Sequence, residues 1–272
     1  AGREENAIST TKDQVQRGDR GHSQGKLFVV GIGPGGALDR THRAEKAIAG
    51  SNVVVGYSHY LKRIADLTKG KEIISSGMTQ EIERCEAALL RAGQGEVVSL
   101  ISSGDPGIYG MAGLAIELAT AKEICVPVEI IPGVTSASAA AARLGAPLML
   151  DYATISLSNL LVPWETIVTR LEAVASADLV VALYNPRSKK RTKQLEEAAE
   201  IFLKYRSGST PVGIATAVGT EDERIVLSDL DHFLEHEIDM RTVVIIGNQS
   251  SKRLDGWFIT PRGYKLKGQG RG

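Results

Sequence analysis

The chain has 272 residues, 43% hydrophobic and 24% charged, and its 32 Lys+Arg balance 32 Asp+Glu. That length suits two domains with separate cores, and the neutral balance removes any global electrostatic case for nucleic acid or an anionic membrane. No apolar run reaches the roughly 18 residues that cross a bilayer. The two cysteines, Cys85 and Cys125, form no C-x-x-C pattern, so they suggest no bound metal and read as isolated buried thiols in a reducing cytoplasm.

Residues 1–25 are polar, with no apolar stripe and no signal-peptide core, and are expected to be a disordered tail or an appended segment; 265–272 are expected to be a flexible tail. From Lys26 on, β-branched runs alternate with helical patterns. LFVVGI (27–32) predicts a strand, followed by a helix near 40–49, then strands at NVVVGY (52–57) and EII (72–74). A helix over 79–92 is expected to place Ile82, Cys85, Ala88 and Leu89 on one side. EVVSLIS (96–102), a helix near 109–121, VEII (128–131) and an alanine-rich helix near 135–144 complete this half. Such alternation predicts a mainly parallel sheet with helices on both faces.

After the turn GAPL (145–148) come a strand at TISL (154–157) and a helix over 163–176, with Pro163 suited to its first position. Trp164, Ile167, Val168, Leu171 and Val174 follow a 3.6-residue period. DLVVALYN (178–185) predicts a buried strand and 190–205 a helix. The remaining runs, PVGIATAV, RIVLSDL, TVVIIG and WFIT, leave few gaps of helix length, which predicts a mixed sheet with antiparallel hairpins. The expectation is an α/β protein of two αβα domains, 26–147 and 148–264, with Trp164 and Trp257 in a core or between the domains.

GIGPGG (31–36) fits the G-x-G-x-x-G dinucleotide fingerprint. An NAD site also needs an acid at the end of the second strand to accept a bond from the ribose. That strand ends Val55-Gly56-Tyr57-Ser58, Asp39 comes too early, and Pro34 removes an amide from the loop. An NAD(P) oxidoreductase and a tight turn without ligand both remain open at this point. Two more small-residue loops, SSGDPGIYG (102–110) and PGVTS (132–136), follow strands. All three are expected at the carboxyl edge of one sheet, where open α/β sheets bind ligands, and glycine there lets the main chain approach a ligand closely.

GIGPGG, GDPGIYG and PGVTS, in this order and spacing, resemble the tetrapyrrole methylases, over about Lys26 to Tyr264. GYSHYL (56–61), ISLSNLLVPWE (155–165) and ALYNPRSKKR (182–191) resemble the C(17)-methyltransferase branch of that family. The resemblance implies a cytoplasmic homodimer of cobalamin biosynthesis, with a ligand cleft between its domains and no nucleic-acid or membrane partner. It implies S-adenosylmethionine as cofactor and S-adenosylhomocysteine as product, with no metal on the protein and any cobalt carried by the substrate. The implied reaction methylates carbon 17 of precorrin-3B or cobalt-factor III and contracts the ring, giving precorrin-4 or cobalt-precorrin-4. The implied cofactor contacts fall on Pro34, Ser103, Gly104, Asp105, Ile108, Tyr109, Thr135 and Ser136, and on Tyr184, Asn185 and Ala217. Ribosomal-RNA and diphthine-type methylases of the same fold are alternatives.

Methyl transfer from a sulfonium to an enamine-like carbon asks mainly for alignment; ring contraction also asks for a positioned acid or base. The candidates are His59 and Tyr57, with Tyr60 and Asp105 behind them. A polycarboxylate substrate asks for cations. Arg187, Lys189, Lys190 and Arg191 lie at an expected helix start that Ser188 could cap. Cations there oppose the helix dipole by about 0.3–1 kcal/mol each, which an anion would offset. Arg43 and Lys46 are weaker candidates.

Overall fold

Five short β-branched runs pair into one parallel sheet in the computed structural model, which describes residues 25–189 and 191–264. They are β1 (Lys26–Gly31), β2 (Val53–Tyr57), β3 (Glu72–Ser76), β4 (Val97–Ser102) and β5 (Val128–Ile131), in the order β3-β2-β4-β1-β5. Val53, Val54 and Val55 are all buried, as a strand covered on both faces requires. Between the strands run α1 (His42–Ala49), α2 (Ser58–Lys62), α3 (Glu81–Gly93) and α4 (Ala112–Ala121). Cys85, Ala88 and Leu89 of α3 and Ala115 of α4 pack on one face; Ala44 and Ile48 of α1 and Leu61 of α2 pack on the other. The expected stripe of α3 loses Ile82, which lies exposed in the helix's first turn. Cys85 is buried as expected; Cys125 is exposed, because it lies in the surface connection between α4 and β5.

The second sheet is built from β7 (Tyr152–Ser156), β8 (Val180–Tyr184), β9 (Pro211–Thr216), β10 (Arg224–Asp229) and β11 (Thr242–Ile246), ordered β10-β9-β11-β8-β7. Only β7 and β8 pair in parallel, so the expected mixed sheet is present. The helices α6 (Trp164–Ser176) and α7 (Lys193–Leu203) cover one face through Ile167, Leu171, Leu195 and Phe202. The alanine-rich helix α5 (Ser136–Leu144), expected to complete the first half, covers the other face of this second sheet. Its small side chains Ala137 and Ala140 lie against Val180, Ala182 and Ala215, and Leu144 sits where Gly213 lacks a side chain. The chain thus passes between the two layered units in the 132–135 loop. A short β6 (Gly145–Ala146) joins the hairpin of β12 (Lys252–Leu254) and β13 (Trp257–Ile259).

Four further expectations shift. Pro163 caps α6 rather than opening it. α7 starts only at Lys193, after Thr192. Ser188 does not cap that helix; it closes a tight turn, its Oγ accepting the Arg191 amide at 3.1 Å. Trp257 is 54% exposed, as the short outer hairpin leaves it without a covering layer, whereas Trp164 packs at the edge of the α6–α7 core and donates to Glu197 Oε2 at 2.8 Å. Of the expected tails, 1–25 and 265–272, all but Gly25 lie outside the described residues; Gly25 is buried, packed against the backbone of Ala92 and Gly95, and so belongs to the folded part. Among the described residues no helix is long and apolar enough to cross a membrane.

Candidate active site

Because β4, β1 and β5 are neighbours, the three glycine-bearing loops that follow them meet side by side. Gly33 donates to Gly104 O at 3.2 Å and Gly104 donates to Gly33 O at 2.8 Å, an isolated bridge between the first two loops. A β-carbon on Gly31 would stand 2.6 Å from Gly104 O, and one on Gly133 would run into the same carbonyl. Glycine is required there by backbone approaching backbone. Asp105 ties the group together: Oδ1 accepts from Gly107 N at 2.8 Å and Oδ2 from Gly133 N at 3.0 Å. Both carboxylate oxygens are engaged by main chain, which leaves Asp105 a bracing acid and not a free base.

The strand order also bears on the dinucleotide pattern. The acid that binds an NAD ribose ends the strand beside β1. Here β4 lies between β1 and β2, and β2 ends at Tyr57 with no acid.

The second sheet presents its own edge to these loops. β8 and β9 run the same way, on either side of β11, so Tyr184, Asn185 and Ala217 leave one edge together. Gly36 N donates to Gly219 O at 2.7 Å, joining the first glycine loop to the segment after β9. Tyr184 Oη accepts from Ala137 N at 2.9 Å and lies 2.5 Å from Thr135 Oγ1, anchoring the third loop as it enters α5. The Tyr109 ring stands 5.0 Å from that of Tyr184, and its hydroxyl reaches toward Thr154 Oγ1 at 3.5 Å. Gly104 faces Thr135 and Ser136, each about 3.8 Å from where its β-carbon would be. Ser103 is half-buried beside it, and Ile108 is partly exposed one turn on.

Tyr109, Asn185 and Ala217 adopt left-handed backbone, with φ of 53°, 49° and 51°. Non-glycine residues held there cost about 1–3 kcal/mol each and collect where a site dictates backbone shape. Ala217 is fixed by its amide donating to Arg241 O at 2.9 Å, Asn185 by Nδ2 donating to Ser156 Oγ at 3.0 Å.

His59 lies in α2, a helix that sequence reasoning missed because five residues show no period. Its ring is exposed, 6.2 Å from Tyr57 and 6.5 Å from Tyr60. Burial, then Arg63, Lys62 and Arg241, hold its pKa below the ordinary histidine value, so the ring is neutral at pH 7. Burial raises the Tyr60 and Tyr184 phenols above their usual range. Arg63 was also missed: Nη1 donates to Pro34 O at 2.8 Å and Nη2 lies 3.4 Å from His59 Nε2.

Two of the expected substrate cations, Arg187 and Arg191, are bonded within the protein. Arg191 Nη1 donates to Leu157 O and Asn185 O, so it pins the end of β8 to the loop after β7. Arg187 pairs with Glu196 at 3.4 Å. Lys189 is exposed, and Lys190 lies outside the described residues. Arg43 and Lys46 sit on α1. A cavity of about 370 Å³ lined by Tyr205, Thr210, Asn248 and Ser251 opens at the opposite edge of the second sheet, away from the glycine loops.

Residues 26–233 match the model of the family Tetrapyrrole (Corrin/Porphyrin) Methylases. The chain is similar to a cobalt-factor III methyltransferase of Priestia megaterium, 48% identical over 248 residues, which is 90% of this chain and 46% of that protein. It spans about half the length of that relative. It is also similar to a probable cobalt-factor III C(17)-methyltransferase of Salmonella typhimurium, 45% identical over 88% of this chain and 100% of that one. Among solved structures, the methyltransferase CobJ superposes with a TM-score of 0.83 at 37% identity, over 87% of this chain and 100% of that one. The three merged glycine loops, the facing edge of the second sheet and these likenesses lead to one statement of kinship: the chain belongs to the tetrapyrrole methylases.

Proposed function

We propose that this chain is an S-adenosylmethionine-dependent C-methyltransferase of corrin-ring biosynthesis, methylating carbon 17 of cobalt-factor III or precorrin-3B with contraction of the ring. The relatives named for cobalt-factor III favour the cobalt-bearing substrate. The single observation that carries the reading is the fusion of three strand-end loops through Gly33, Gly104 and Asp105 beneath Tyr184, a cradle in which backbone atoms replace side chains.

That cradle fits a nucleoside with an amino-acid arm. Gly104 leaves space toward Thr135 and Ser136 that a side chain would fill. Main-chain groups beside Pro34, Ser103 and Gly104, and the left-handed Asn185 and Ala217, would hold such a ligand, with Ile108 and Tyr109 walling it from water. When bound, the cofactor supplies a methyl group on a sulfonium, already activated for displacement. The two layered units act as domains, α5 joined to the second, and align that methyl with the substrate carbon between their facing edges. Alignment in a site closed to water contributes about 7–11 kcal/mol at best. Asp105 keeps the loops in register. His59, neutral at pH 7, takes the proton that ring contraction releases, with Tyr57 beside it as the second proton-handling group.

The enzyme works as a cytoplasmic homodimer in this reading, and the exposed Leu160 and Leu161 supply apolar surface for a subunit contact. The balanced charge gives no support for nucleic acid or an anionic membrane as partner. Incubation with S-adenosylmethionine and either precorrin-3B or cobalt-factor III, followed by mass and absorbance, tests the proposal. Gain of one methyl group with ring contraction is expected; failure to methylate either substrate overturns it.

A further inference from the structure

Arg63 follows α2, which leaves the carboxyl end of β2; β2 lies beside β4, so Arg63 stands next to the glycine loops. Its Nη1 touches the first of them at Pro34 O, 2.8 Å away. Among the described residues Nη2 has one polar partner, His59 Nε2, at the long distance of 3.4 Å. The nearby acids are already taken. Asp66 is held by both terminal nitrogens of Arg40, at 3.0 and 2.6 Å. Asp222 and Asp239 pair with Arg241 at 3.0 and 3.6 Å. Among the described residues no carboxylate lies within ion-pair distance of Arg63.

The surroundings add positive charge. The Arg63 guanidinium lies 5.7 Å from the Tyr60 ring, which meets Tyr57 edge-on at 5.1 Å, and the buried Arg84 lies 5.9 Å from Tyr57 on the far side. Arg84 donates to Ser76 Oγ and Gly77 O, each at 2.7 Å, and among the described residues has no carboxylate within ion-pair distance either. Arg63, Tyr60, Tyr57 and Arg84 thus form a chain of cation–ring and ring–ring contacts, with Glu81 the acid whose charge reaches Tyr60 and neither arginine ion-paired among the described residues. Burial and Arg241 push the Arg63 pKa down, the mark of a cation lacking its counter-ion. A carboxylate set between Nη2 and the Nε2–H of the neutral His59 would accept from both, leaving Nδ1 free to take a proton, and the guanidinium fork suits it.

We infer that Arg63 is the receptor for one carboxylate arm of the substrate, gripping it beside the first glycine loop with His59 as second donor. This rests on the tetrapyrrole reading above, and it assigns substrate recognition to a residue outside the cationic 187–191 segment.

The test titrates uroporphyrin III, an octacarboxylate tetrapyrrole, into the full chain and into Arg63→Gln and Arg63→Lys, following porphyrin absorbance. S-adenosylhomocysteine binding is measured in parallel by calorimetry, and circular dichroism verifies the fold. Arg63→Gln is expected to raise the porphyrin Kd at least about 10-fold, as loss of one partner of a desolvated charge pair does. Arg63→Lys should recover part of that loss, with S-adenosylhomocysteine affinity held within about twofold in both variants. Porphyrin affinity unchanged in Arg63→Gln overturns the inference alone. So does an equal fall in both affinities, which would make Arg63 only a brace for Pro34. Wild-type protein that binds S-adenosylhomocysteine and no tetrapyrrole overturns the functional reading and this inference together.

Discussion

Tyr184 Oη accepts the Ala137 amide at 2.9 Å, at the point where the third glycine loop becomes α5. The same oxygen lies 2.5 Å from Thr135 Oγ1, so one phenol from the second sheet fixes the backbone that faces Gly104. Tyr184→Phe removes both bonds without changing the ring. Loss of a partly buried amide's acceptor costs about 1–3 kcal/mol, and the urea midpoint should fall accordingly. S-adenosylhomocysteine affinity should fall with it, while the Tyr109–Tyr184 ring contact persists.

Gly133 sits against Gly104 O with no room for a β-carbon. Gly133→Ala must push backbone from backbone, and overpacking of this kind costs about 1–3 kcal/mol. The expected result is a lower urea midpoint together with weaker S-adenosylhomocysteine binding, because the same displacement parts the second and third loops. A wild-type midpoint would show that the loops are not in contact.

His59 carries a pH dependence whose sign follows from its surroundings. Its folded pKa is depressed, first by burial and then by Arg63, Lys62 and Arg241. The native state therefore binds fewer protons than the unfolded chain as pH falls through the ordinary histidine range, and this contribution to stability is lost on acidification. If the neutral ring is the base, the acid limb of kcat/KM lies below the ordinary histidine pKa. Lys62→Gln removes one of the depressing cations and should move the limb upward; His59→Gln should abolish it. A limb that ignores both changes assigns the proton to another group.

The two thiols should separate cleanly. Cys85 is fully buried and pushed up to about 12 by burial, while Cys125 is exposed. The thiolate is the reactive form, so an aromatic disulfide reagent should label one cysteine in native protein and two in denaturant. Replacement of Cys125 by Ser should remove the fast phase.

Much of this site could be read from the chain because Gly, Pro and Asp punctuate it. Gly33, Gly104 and Gly133 each announce a turn by residue type, and β-branched runs before them announce strands. Where the polypeptide uses ordinary residues for unusual purposes, the signal vanishes. Tyr109, Asn185 and Ala217 carry positive φ without being glycine, and nothing in an alanine pattern says which sheet α5 will cover. Arg63 stayed hidden because its meaning lies in what is missing around it, an acid, which only spatial neighbours reveal. The 187–191 cations were legible as charge, but Arg191 is bound to Leu157 O and Asn185 O, an arrangement set by a turn and not by a helix start.

Calorimetric titration of S-adenosylhomocysteine and, separately, NAD into wild-type protein and Asp105→Ala tests the central claim most directly. Wild type should bind S-adenosylhomocysteine and not NAD. Asp105→Ala, which frees the amides of Gly107 and Gly133, should bind at least about 10-fold more weakly while remaining folded. Heat from NAD and none from S-adenosylhomocysteine, or undiminished affinity in the variant, would contradict the account.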